Sequence, residues 1–203
     1  MSGGGRPQPE TPGPEWHERG DAARNRGLLL ATAARLIAEN GADALTMDGL
    51  AEKAGMGKGT IFRRFGSRSG LMFALLDQSE KDFQRAILAG PAPLGPDAEP
   101  RERLLAFGRA AVDRFEMVGE LQEAADVSSR QRFEVPARRF VRQHIGMLLR
   151  QSGLGPEADV ELLAFALLGA LEPATLMYQR RSAGIPAERI RQNWDFLVRR
   201  LLP

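Results

Sequence analysis

The chain has 203 residues, 43% of them hydrophobic, and its 28 lysines and arginines against 26 aspartates and glutamates leave a formal charge of +2. This is enough apolar material for one or two packed domains, and too little net charge to identify a polyanionic partner, so any basic face has to be local. The absence of cysteine excludes a disulfide framework, a thiolate nucleophile and any cysteine-ligated metal site.

Residues 1–20 combine repeated glycine and proline with one large apolar side chain, Trp16, too little to offset chain entropy. A disordered arm is expected there. Its Arg6 and Arg19 are outnumbered by Glu10, Glu15 and Glu18, which argues against an arm laid along DNA. Lacking a charged start followed by an apolar run, it does not have the pattern of a secretory signal. The longest apolar stretch, Leu162 to Leu171, falls short of the ~20 residues of a membrane span, and the expectation is a cytoplasmic protein with no membrane partner.

From Asp21 the spacing turns helical, with Leu29, Ala33, Leu36 and Ile37 on one face and Gly41 as the stop. Thr46 stands at an N-cap position before Met47, Leu50, Ala51 and Ala54, and Gly55 closes this second helix. A third helix is expected from about Lys58 to Arg64, then a fourth, capped by Ser67, with Met72, Leu75, Leu76, Phe83 and Ile87 inward. Two short helices across a tight glycine turn form the unit that projects its second helix into a DNA major groove. Leu50, Ala51, Ala54, Met56, Ile61 and Phe65 can pack the pair against Leu36 and Ile37. The opposite face then holds Lys58, Gly59, Thr60, Phe62, Arg63 and Arg64. Between Thr46 and Gly70 five cations face two anions, Asp48 and Glu52. Lysine and arginine neutralise phosphates, arginine also reads guanine edges, and a glycine lets backbone approach the groove.

The segment LTMDGLAEKAGMGKGTIFRRFGSRSGL, residues 45–71, with the preceding helix end Ala38-Glu39-Asn40-Gly41, resembles the TetR (tetracycline-repressor-like) family of bacterial regulators. The resemblance implies an all-α protein: an N-terminal three-helix helix-turn-helix domain over 21–88 and a C-terminal helical ligand-binding and dimerisation domain over 89–203. It implies that Thr46 and its amide hold a phosphate, that Lys58 and Arg68 contact phosphates, and that Gly59, Thr60 and Arg63 face bases. Phe62 stands where the family usually has tyrosine, which removes a hydroxyl and leaves either ring packing at the groove or a small core role. Arg64 replaces a frequent histidine, and Gly57 a frequent serine or threonine cap.

The proline-rich stretch Ala89 to Pro100 is the expected domain boundary. Helices follow at about Arg101–Val118, Glu120–Arg132, Val135–Gln151, Glu157–Arg181 and Ala187–Leu202, with a kink at Pro173. No stretch alternates at period two. Leu162 to Leu171 is apolar all round and needs cover on more than one side. Together with the last helix it matches the homodimer interface that the resemblance implies, through Leu167, Leu171, Ile190, Trp194, Leu197, Val198 and Leu201, the alternative being a purely intramolecular core. The family implies a small-molecule effector in the C-terminal domain, for which Phe107, Phe115, Met117, Leu121, His144, Met147, Phe165 and Met177 are candidates, with His144 expected to be partly exposed. No metal or cofactor is expected. The function expected is a repressor that binds a palindromic double-stranded operator as a dimer and is released by a small molecule. The alternatives are a helix-turn-helix protein that binds DNA without sequence choice, and an all-helical enzyme. The latter is disfavoured because His17 and His144 are the only histidines and no catalytic triad, metal-ligand spacing or phosphate loop stands out.

Overall fold

The structure, a computed structural model, describes residues 14–124 and 136–203. The first part of the expected arm and the end of the expected helix Glu120–Arg132 lie outside the described residues. Helix α1 runs Pro14–Asn40 and so begins before Asp21. Its first turns lack apolar periodicity, so pattern alone starts the helix late, whereas proline is well suited to the first helical position. A single 3-10 turn, Ala42–Ala44, leads to α2, Met47–Ala54, then α3, Lys58–Phe65, and α4, Arg68–Ala89.

These elements close around one core. Leu29, Leu30, Ala33 and Ile37 of α1 meet Leu50 and Ala51 of α2, Ile61 and Phe65 of α3, and Leu71, Met72 and Leu75 of α4. Leu36, Ala54 and Met56 pack at its edge, so the inward set expected for the pair is the set found. Each joint has a local cause. The Thr46 hydroxyl accepts from the Gly49 amide at 3.0 Å, and the Ser67 hydroxyl accepts from that of Gly70 at 3.1 Å. Gly55 ends α2 in the left-handed region at φ 62°, where a side chain would be strained.

Beyond the loop, α5 runs Pro100–Ala124, α6 Pro136–Gln151, α7 Val160–Ala170, α8 Pro173–Met177 with a π turn over Tyr178–Ser182, and α9 Ala187–Leu201. No strand occurs among the described residues. Helix α5 is the axis of this body, packing on α4, α6, α8 and α9. It continues unbroken past Gly119, where a boundary between two helices was expected. A Cβ at Gly119 would lie 2.1 Å from the Met177 methyl, so this glycine admits α8 rather than stopping α5. The expected long helix Glu157–Arg181 is likewise two helices. Glu172 is extended at ψ 126° and Pro173 opens α8, as the restriction on a residue preceding proline requires.

The body core joins Phe83 and Ile87 of α4 to Leu104, Phe107 and Phe115 of α5, Ile145 and Leu148 of α6, Leu167 of α7 and Trp194 of α9. The change from head core to body core falls inside α4, between Leu75 and Phe83, ahead of the proline-rich loop. Two links span this seam. Arg114 of α5 stacks 4.4 Å over the Phe83 ring and donates to Ser79 and Glu80 of α4. Leu121, near the end of α5, is fully buried in the head core beside the 3-10 turn.

Candidate nucleic-acid interface

Helix α3 divides by face. Ile61 and Phe65 point inward and are buried, while Lys58, Gly59, Phe62 and Arg63 are exposed and Thr60 and Arg64 half-buried. Phe62 is 40% exposed, which excludes the core role and leaves its ring on the outer face. Nothing lies within 4 Å of the position of a Cβ on Gly59, so the outer surface is open at the point where backbone would meet a groove. The helix starts at Gly57, which has no side-chain cap. Thr46 is exposed, and its hydroxyl is occupied by the Gly49 amide, which orients the start of α2.

Two cations are held in ways that the spacing did not announce. Lys58 Nζ lies 2.6 Å from Asp48 Oδ2 across the α2–α3 turn, both side chains being 62% exposed. Arg68, expected to contact a phosphate, is engaged within the chain. Its Nε donates to the Leu45 carbonyl at 3.0 Å and its Nη2 to that of Ala42 at 2.6 Å, with Asp43 3.7 Å away. The physical reason is proximity. The turn after α1 presents the Leu45 carbonyl and that of Ala42, which already accepts the Leu45 amide at 3.2 Å, and Arg68, at the start of α4, adds a donor to each. Arg68→Ala is therefore expected to lower the stability of the head by about 1–3 kcal/mol and to leave the salt dependence of DNA binding unchanged. Thermal unfolding followed by circular dichroism, with binding measured across a salt series, checks both.

The candidate dimer residues are redistributed. Leu167, Leu171, Ile190, Trp194 and Val198 are buried within one chain, because α7 packs on α6 and α9 on α5 around the body core. Of the expected set, Leu197 is exposed and Leu201 half-buried. The apolar surface of these helices instead comprises Leu162, Phe165, Phe196 and Leu197, with Tyr178 beyond the end of α8.

The candidate effector residues are not one group either. Phe107 and Phe115 belong to the body core, with Met147 at its edge, whereas Leu121 belongs to the head core. Phe165 is turned outward under the Arg142 guanidinium, 4.4 Å from its ring. Met177 is half-buried against Gly119, and the side chain of Met117 lies outside the described residues. His144 is buried rather than partly exposed, stacked on Phe140 and tilted against Phe107. Burial, reinforced by the Arg103 charge, lowers its pKa to about 4, so it is neutral near neutral pH. Its Nε2 has no hydrogen-bond partner. Among the described residues no three acidic or histidine side chains are placed to hold a metal ion.

A capped, glycine-turned helix pair with an exposed, basic second helix is the working part of a helix-turn-helix DNA-binding protein. Residues 29–75 match the family model for bacterial regulatory proteins of the tetR family. No curated protein matches the chain. Among solved structures, a transcriptional regulator from Saccharomonospora viridis in complex with choline superposes with a TM-score of 0.69 at 21% identity, over 89% of this chain and 98% of that one. A TetR-family regulator from Pectobacterium atrosepticum gives 0.66 at 22%, over 91% and 97%. AibR in complex with isovaleryl coenzyme A and operator DNA gives 0.52 at 21%, over 88% and 98%. Residues 29–75 are thus a helix-turn-helix head similar to that of the tetR family, and the solved regulators share the fold over most of the chain.

Proposed function

We propose that the protein is a repressor that binds an inverted-repeat operator as a homodimer in the cytoplasm and leaves it when a small molecule enters the helical body. The observation that carries the reading is the outer face of α3, where Lys58, Gly59, Phe62 and Arg63 stand clear of a head whose inner face is fully packed. A second copy is the cover proposed for the apolar surface. Val160–Ser182 is apolar and long enough, by composition, to cross a membrane, and a third of its most apolar window is buried. It is broken at Glu172–Pro173 and ends in a turn carrying Arg180 and Arg181, which suits a protein partner better than a bilayer.

Effector release is supported by two similar folds solved with choline and with isovaleryl coenzyme A. In this chain Phe107, Phe115, His144, Met147 and Met177 remain the candidates on the body side. The coupling would run through α5, which both lines the body and buries Leu121 in the head.

Selection of bound duplexes from a random pool tests the reading, with an inverted repeat as the expected result. Uniform binding of all sequences with strong salt sensitivity would instead mark a protein that holds DNA without sequence choice. Against the selected duplex, Arg63→Ala is expected to lose about 1–3 kcal/mol of affinity and to relax preference at one position in each half-site. Repeating the selection with the variant checks this; an unchanged consensus would remove Arg63 from the reading face.

A further inference from the structure

The Lys58–Asp48 pair gives the recognition helix an internal competitor for DNA. We propose that Asp48 is a brake on DNA affinity that acts through Lys58, holding the lysine charge until a phosphate displaces it. The inference rests on the DNA-binding reading of α3.

Three observations point the same way. The contact, 2.6 Å long, joins α2 to α3 across the turn of the motif, so the carboxylate belongs to the interface itself. Both side chains are 62% exposed, so neither is needed for the core, and the pair opens without unpacking the head. Lys58 also opens α3, exposed like Arg63 further along the same helix, and Asp48 and Glu52 are the only acidic residues among the cations between Thr46 and Gly70. A lysine ammonium is a compact point charge, and its strongest local partner is whichever anion lies nearest. In free protein that anion is Asp48. On DNA it is a phosphate, and the exchange forfeits the internal pair.

The contact carries no base information, because a phosphate is the same at every step of the duplex. Asp48 therefore sets how tightly all sequences are held and leaves discrimination to residues such as Arg63.

The experiment uses the full chain and two probes: a mixed-sequence duplex, and the duplex enriched from a random pool. Binding of Asp48→Asn to both is followed by fluorescence anisotropy over a range of salt. An exposed ion pair is worth little, so the expected gain is about two- to fivefold per protomer, similar on both duplexes. Because Lys58 meets a phosphate in the complex of either protein, the salt slope should stay nearly unchanged, the gain coming from the internal pair that no longer has to be broken. On a Lys58→Gln background the same Asp48 substitution should have no effect. Asp48 also lies in the first turn of α2, where its charge favours the helix. Asp48→Ser, measured in parallel after a check of folding, covers a failure of the asparagine variant to fold.

Unchanged or weaker binding by the folded variants would overturn the proposal, since the carboxylate would then be neutral or be orienting Lys58 productively. A gain that persists on the Lys58→Gln background would overturn it too, by showing that Asp48 repels phosphate directly. If the unaltered protein bound neither duplex, the DNA-binding reading itself would fail, a distinct result from binding that ignores Asp48.

Discussion

Trp194→Ala should unfold this protein before it separates any subunits. The indole is 2% exposed, its Nε1 donates to the Leu104 carbonyl at 3.1 Å, and its ring lies 6.5 Å from that of Phe107. It also rests on Gly108, where a Cβ would fall 2.0 Å from the indole Cε2. Truncation leaves a ring-sized void between α5 and α9 and removes the hydrogen bond, an expected loss of about 3–5 kcal/mol. That is a large share of the ~5–15 kcal/mol by which a folded domain is stable. The ion pairs Arg109–Asp195 and Arg191–Asp113, which join the same two helices, are partly exposed and offset little of it. Urea unfolding of the variant checks the value. A midpoint equal to that of the unaltered protein would return Trp194 to the dimer-interface role expected from the sequence.

The opposite outcome is expected two residues away. Phe196 is 56% exposed and Leu162 65%, so glutamate at both leaves the core of each chain intact. If these faces meet a second copy, Leu162→Glu with Phe196→Glu places four carboxylates in a dimer interface that has no water to solvate them. Light scattering should then report monomers with a helical circular dichroism spectrum. Affinity for an inverted repeat should fall by about 10²–10⁴-fold, because the second head no longer binds as a tethered partner of the first. Binding of a single half-site should change little. A dimer that survives the double substitution would move the interface elsewhere on the body.

The contrast between Trp194 and Phe196 shows where legibility ended. Ile190, Trp194, Leu197, Val198 and Leu201 recur at helical spacing and define one apolar stripe. The fold splits that stripe, with Ile190, Trp194 and Val198 inside the chain and Leu197 outside. An apolar stripe shows that a face is covered, not what covers it, since a subunit interior and a subunit interface are chemically alike. Among the effector candidates whose side chains are described, Leu121 joined the head core and Phe165 the outer surface for the same reason. Methionine and phenylalanine at helical spacing fill cores as readily as pockets.

The head was far more legible. Thr46, Ser67, Gly41 and Gly55 terminate helices through contacts reaching three to five residues along the chain, and the inward set from Leu50 to Phe65 follows from period and length alone. Such short-range causes are written in consecutive residues. What only the tertiary structure decided are the pairings over long separations. Arg68 finds the carbonyls of Ala42 and Leu45, more than twenty residues before it, and clamps the start of α4 to the turn after α1. Lys58 finds Asp48 across the turn. Gly119 admits Met177, and Leu121 leaves the body for the head. Sequence alone determined that these residues were cationic, small or apolar. Which partner each one meets depended on how separately formed helices came to rest against one another, because charge and apolar area are satisfied by any suitable neighbour that packing brings within reach.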